Sequence, residues 1–258
     1  MYSSELIDSL PLWLLLIITV AVIFLSIEVG WRIGIHVYRK SAKEKDISSN
    51  LVVGATLGLL SLLIAFTFGM AASRFDNRKE MVLTEANSIG TAYLRTDFLP
   101  EQSRNEARLL LREFAALRSG GAASIMSTQG LAKAGELEDR LWRIATDAVK
   151  KSDSISTGLL IQSLNDMIDL DQARVTALRN RLPDSIWLML FLVSIFFMAT
   201  LGYEFGLTGS RKWTNTILLV ITVTTVFFLI ADLDMPQRGL VQISQQPLFD
   251  LLGKISGP

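Results

Sequence analysis

Along this chain, long runs of apolar positions give way to stretches with a mixed, helical rhythm. Four blocks are almost wholly apolar: roughly Leu12 to Gly34, Leu51 to Ser73, Ile186 to Phe205 and Asn215 to Ala231. Crossing a hydrocarbon core takes ~20 mostly apolar residues, so each block predicts a transmembrane helix. The first carries only Glu28 and Arg32, one helical turn apart and able to pair. The second has no charge, and the third ends on Glu204. The fourth is rich in β-branched residues and stops at Asp232-Leu-Asp234-Met-Pro236. In lipid such a stretch still forms a helix, because every backbone polar group needs an internal partner. The residues before the first block include Glu5 and Asp8 but no cation, and its apolar run exceeds that of a signal peptide, so it reads as a retained span.

Between the second and third blocks the character changes. Residues 74–183 hold 16 basic and 15 acidic side chains. No stop signal follows Ser73, so the second span should continue as a helix to about Phe98. Pro100 suits the first turn of the next helix, with Leu110, Phe114 and Leu117 on one face. Ser119-Gly120-Gly121 breaks it, and a small-residue loop is expected as far as Gly130. Further helices follow over about Leu131 to Lys151 and Thr157 to Leu182, the latter burying Leu160, Leu164, Met167 and Leu178. Pro183 either separates that helix from the third span or kinks one long helix. The fold class is therefore all-α: an integral membrane protein with four transmembrane helices and an extramembrane helical domain between the second and third. The expected divisions are 1–73, 74–184, 185–232 and a C-terminal tail, 233–258.

Composition removes several classes of function. The chain has no cysteine and a single histidine, His36, so disulfides, thiolate sites and multi-histidine metal sites within one chain are excluded. Charge balances at 25 against 25, which gives no reason to expect a nucleic-acid partner. Nucleotide-loop, zinc-protease and hydrolase motifs are absent, so no enzyme activity, metal or cofactor is expected. Arg39, Lys40, Lys43 and Lys45 lie between spans one and two, and Arg211 and Lys212 between spans three and four. The positive-inside rule then puts both short loops in the cytoplasm, with both termini and the helical domain outside; a bacterial inner membrane is the expected location. Arg74, Arg78, Lys79, Arg174, Arg179 and Arg181, on the domain side, argue the other way.

Span two carries the clearest patterns. Gly54, Gly58, Ser61, Ala65, Gly69 and Ala72 recur at steps of three and four and share one face. Small side chains let helix backbones approach in lipid, so this face should pack on another helix, span one or three in the first instance. Leu59, Leu63, Phe66 and Met70 form a separate bulky stripe. Several copies of such a stripe around an axis would make a hydrophobic constriction of the kind that gates by dewetting; otherwise the residues face lipid. At the membrane edge, Arg74 and Arg78 leave the bilayer on the same side as Asp232 and Asp234, and buried ionisable groups there tend to find one another. Pairing among these four is expected. Asp76, Glu80 and Glu85 read as a solvated face with Arg78 and Lys79. Arg104, Arg108 and Arg112 read as a stripe neutralised by Glu101, Glu106 and Glu113. Asp166, Asp169 and Asp171 lack the loop spacing of a calcium site.

The run from Gly58 to Ala71, Arg74-Phe-Asp-Asn-Arg78 and Glu85-Ala-Asn-Ser-Ile-Gly-Thr-Ala-Tyr-Leu-Arg95 resemble the bacterial bestrophin-like membrane proteins. Leu164-Asn-Asp-Met167, Arg181-Leu-Pro183, the run from Asp232 to Gly239 and Gln245-Gln-Pro-Leu-Phe-Asp250 fit the same family. The resemblance implies distant kinship with bestrophins, pentameric anion channels whose second transmembrane helix lines the neck with bulky apolar residues. Leu59, Leu63, Phe66 and Met70 would take that role here. The resemblance also implies a cytosolic domain, against the charge count. The expected function is a homo-oligomeric ion channel, chloride or another anion being the carried ion; the alternative is a non-conducting membrane scaffold or sensor whose helical domain binds a partner.

Overall fold

A computed structural model describes residues 11–40, 49–151, 154–209, 211, 213–236 and 239–256. The acidic N-terminal residues, the loop with Lys43 and Lys45, Lys212, and Gln237-Arg238 lie outside the described residues. The described chain is helical, with no strand: α1 (Leu12–Lys40), α2 (Ser49–Arg95), α3 (Glu101–Arg118), α4 (Gly121–Ile125), α5 (Thr128–Lys151), α6 (Ile155–Arg179), α7 (Asp184–Leu207), α8 (Trp213–Asp234) and α9 (Gln246–Ile255). The runs through α1, α2, α7 and α8 are each long and apolar enough to cross a membrane. The protein is an all-α membrane protein.

Local chemistry sets the helix ends. Pro100 is the N-cap of α3, one residue before the first turn, where its missing N–H costs nothing. Gly121 adopts φ +79, a left-handed conformation favouring glycine, and restarts the chain as the short helix α4 inside the expected loop. Ser154 caps α6 reciprocally: its Oγ accepts from the Thr157 N–H at 3.3 Å, and the Thr157 hydroxyl accepts from the Ser154 N–H at 3.1 Å. Pro183 is the N-cap of α7, so α6 and the third span are separate helices.

The chain divides into two compact units, Met1–Ser73 with Arg181–Leu240, and Arg74–Asn180 with Val241–Pro258. In the first, Ile23 and Ile27 of α1, Leu60 and Ala71 of α2, Trp187, Leu190 and Phe197 of α7, and Val223, Phe227 and Ile230 of α8 form one core. Its tightest seam joins α1 and α7. A Cβ built on Gly206 would lie 2.6 Å from the Trp31 carbonyl oxygen, and one on Gly30 or Gly202 would overlap the carbonyl of Ala199 or Ile27. Gly30 and Gly34 on one helix therefore face Gly202 and Gly206 on the other, two G-x-x-x-G pairs that permit backbone contact.

In the second unit, Val82, Ala86 and Ile89 of α2 pack with Leu110 and Phe114 of α3, Leu137 and Leu141 of α5, and Leu160, Leu164 and Met167 of α6. The C-terminal segment is no separate tail. Leu248 and Ile255 of α9 are buried in this core, and the Tyr93 hydroxyl donates to the Ile255 carbonyl at 3.2 Å.

Candidate functional site

The transmembrane half of α2 differs from the other spans. Only 11% of its most apolar stretch is buried within the chain, against 44% for α8. Val53, Leu60, Ile64, Thr67 and Ala71, at helical spacing, turn toward the core. The opposite side is open. Nothing lies within 4 Å of a Cβ built on Gly54, Gly58 or Gly69; Ser61 and Ala65 are exposed, and Ala72 is half-buried. Neither span one nor span three covers this face, because their glycines are used against each other.

The bulky stripe is divided. Leu59 and Phe66 are exposed, at 50% and 64%, whereas Leu63 and Met70 are half-buried against the core. An uncharged helix face with small residues beside exposed Leu59 and Phe66 can pack against identical helices and present apolar groups to an axis.

Three residues of the membrane edge have backbone partners. Arg78 is buried and donates to the carbonyls of Ala177 at 3.1 Å and Asn180 at 2.8 Å, bracing the end of α6. Arg74 is half-buried at the start of the second unit. Asp234 accepts from the Leu182 N–H at 3.0 Å, and Asp232 accepts from the Leu240 N–H. Both aspartates are buried and act as caps for neighbouring backbone.

A second constellation lies inside the helical domain. Glu85, read from sequence as surface, is fully buried. It pairs with Arg118 at 2.8 Å and with Arg174. Arg118 also pairs with Asp171 at 2.7 Å, and Arg174 donates to the Gln245 side chain at 2.5 Å. Glu138, 8% exposed, completes the cluster, with its Oε1 buried and without a hydrogen-bond partner among the described residues. Three carboxyl groups thus share two guanidinium groups. Burial first, then the Asp171 carboxylate, push Glu138 up to about 7, while Arg118 opposes the shift. Burial raises Asp171 as well, and burial lowers Arg174.

This cluster draws one side chain each from α2, α3 and α5, two from α6 and one from the segment before α9. Its members lie too far apart in sequence to form a pattern. Asp171 therefore leaves the acidic trio: Asp166 and Asp169 stay at the surface, bonded to Gln162 at 2.8 Å and Asn165 at 3.0 Å. The arginine stripe is neutralised by other partners than expected. Arg108 pairs with Asp97 at 2.7 Å, and Arg112 donates to the Tyr93 hydroxyl at 2.9 Å. Glu106 and Glu113 instead meet Arg140 at 3.6 Å and Lys133 at 3.1 Å.

The profile of the Bestrophin-like domain matches residues 20–248. No curated protein matches the chain. Among solved structures, a variant of a bacterial bestrophin homologue from Klebsiella pneumoniae superposes with a TM-score of 0.65 at 14% identity, over 94% of this chain and 99% of the other. A second variant described in the same words gives 0.63 at 16% identity over 99% and 96%. A crystal structure described as a membrane protein gives 0.63 at 14% identity over 92% and 98%. Family match and shared fold agree, and the chain belongs to the bestrophin-like family.

Proposed function

We propose that this protein is a homo-oligomeric, anion-conducting membrane channel with α2 at its axis. The observation that carries the reading is the open face of α2. Close-packing residues on a transmembrane helix need a partner backbone, and the chain's own helices leave Gly54, Gly58 and Gly69 uncovered. Identical subunits would cover that face. Leu59 and Phe66 would then form the constriction, with Leu63 and Met70 supporting it from the core side. Family membership supports the channel class; a pentamer and chloride as the ion rest on the bestrophin resemblance alone.

Reconstitution into liposomes tests the proposal. Wild-type protein should give chloride flux, and Phe66→Ala should raise it by removing bulk from a dewetting constriction. Absence of flux from well-folded oligomers would leave the scaffold or sensor reading. One observation favours that second reading: an open groove of about 510 Å³ in the helical domain, edged by Thr84, Asn87, Ser88, Arg95 and Asp166, is large enough to seat a partner's side chains.

For orientation, six cations flank the spans on the loop side (Arg39, Lys40, Lys43, Lys45, Arg211, Lys212) and seven on the domain side (Arg74, Arg78, Lys79, Arg174, Arg179, Arg181, Arg238). Counted this way the charge asymmetry vanishes, and the domain-outside expectation loses its support. We therefore propose that the helical domain is cytoplasmic, the orientation implied by the family.

A further inference from the structure

The outer surface of α1 and α8 carries a feature that the channel reading does not use. An apolar groove of about 480 Å³ runs between them, lined by Leu16, Val20 and Phe24 on α1 and by Ile217, Ile221 and Phe228 on α8. From Ile217 to Phe228 it follows α8 for about 16 Å at ~1.5 Å per residue. One leaflet of a hydrocarbon core is ~15 Å deep, so the groove is as long as a single acyl chain needs. Its walls are bulky and branched, unlike the small residues of α2, and suit a flexible chain better than another helix backbone.

At Phe24 the groove meets a cleft lined by Glu28, Trp31, Phe205, Arg211 and Trp213. The Arg211 guanidinium lies 4.4 Å from the Trp31 ring centre and 4.2 Å from that of Trp213. Tryptophan rings mark the headgroup level of a bilayer. Glu28 pairs with both Arg211 and Arg32, the latter at 2.8 Å. Two guanidinium groups against one carboxylate leave an excess of one positive charge, and the Arg211 side chain stays 35% exposed. The first turn of α8, beginning at Trp213, adds the positive end of a helix dipole.

We infer that the α1–α8 groove and its Arg211 corner form a binding site for an anionic glycerophospholipid, with one acyl chain in the groove and the phosphate at Arg211. Charge complementarity selects the headgroup, and the groove selects a lipid over a free anion. The site is separate from the α2 face and stands whether or not the protein conducts.

Native mass spectrometry of the full chain in detergent, with added phosphatidylglycerol or phosphatidylcholine, tests this. Wild type should retain phosphatidylglycerol about fivefold more than phosphatidylcholine, as expected for one cation near an anionic headgroup. Arg211→Gln should abolish the preference. Ile217→Trp fills the groove while leaving the Arg211–Glu28 pair in place, and should lower the binding of both lipids. Inorganic phosphate at the same concentration should not displace the lipid. Equal retention of the two lipids, unchanged binding in Ile217→Trp, or displacement by phosphate alone would each overturn the site. So would disulfide trapping between copies carrying Ile217→Cys in this cysteine-free chain, which would put protein over the groove.

Discussion

Glu138 shows how much a single side chain can carry. In the folded domain its carboxyl is raised from an ordinary 4.5 to about 7, because it is buried beside Asp171 in a cluster already short of positive charge. A carboxyl raised on folding favours the protonated, folded chain. Its contribution is complete below the unfolded value and is lost as pH climbs through the folded one. Domain stability is thus expected to fall between about pH 4.5 and 7, by up to ~3 kcal/mol. Glu138→Gln keeps a neutral group of the same shape. Its melting temperature should equal wild type near pH 4 and exceed it near pH 8. Identical pH profiles for the two proteins would show that Glu138 does not titrate in this window. None of this was legible in the sequence. Glu85 and Arg174 lie 89 positions apart, and only the packing of α2, α3, α5 and α6 makes a neighbourhood of them. Asp171 follows Asp166 and Asp169 on one helix, and spacing alone does not distinguish inward turns from outward ones without knowledge of what packs there.

At the scale of elements, two kinds of glycine contact separate cleanly. Gly202 and Gly206 touch the backbone of α1, so Gly206→Val must push α1 and α7 apart. Overpacking of this kind costs on the order of 1–3 kcal/mol, and folded protein should be lost from detergent extracts. Gly58 faces open space in the chain. Gly58→Leu should therefore leave the melting temperature of the monomer unchanged and act on assembly, shifting the oligomer peak in size-exclusion chromatography. A folding defect in Gly58→Leu equal to that of Gly206→Val would contradict the division. The four spans and the helical periodicity of α3, α5 and α6 were readable because length and apolar spacing are local properties. Leu110, Phe114, Leu160, Leu164 and Met167 are all buried where their rhythm put them. The G-x-x-x-G pairs at Gly30–Gly34 and Gly202–Gly206 were also present in the sequence. They were overshadowed by the longer small-residue run of span two, whose length says nothing about whether its partner lies within the chain.

For the whole molecule, orientation in the membrane fixes which compartment the helical domain samples. Gln129 is exposed in that domain and offers a labelling site. With the domain in the cytoplasm, Gln129→Cys should resist an impermeant thiol reagent in intact spheroplasts and react after lysis. Ser41→Cys, in the loop between α1 and α2, should show the reverse. Labelling of Gln129→Cys in intact spheroplasts would restore the domain-outside topology that the loop charges alone suggest.

The return of α9 to the domain core ties folding to the order of synthesis. Residues 74–180 emerge from the ribosome first, yet Leu248 and Ile255, which seal their core, follow only after α7 and α8. The 75 residues from 181 to 255 take roughly 4–15 s at ~5–20 residues per second. For that time the nascent domain has an unfilled seat where Leu248 belongs, and Arg174 has yet to meet Gln245. Both membrane crossings must also be completed, since only an even number of them returns the chain to the side it left. The domain can close only once the third and fourth spans are inserted, so its closure reports the completion of insertion.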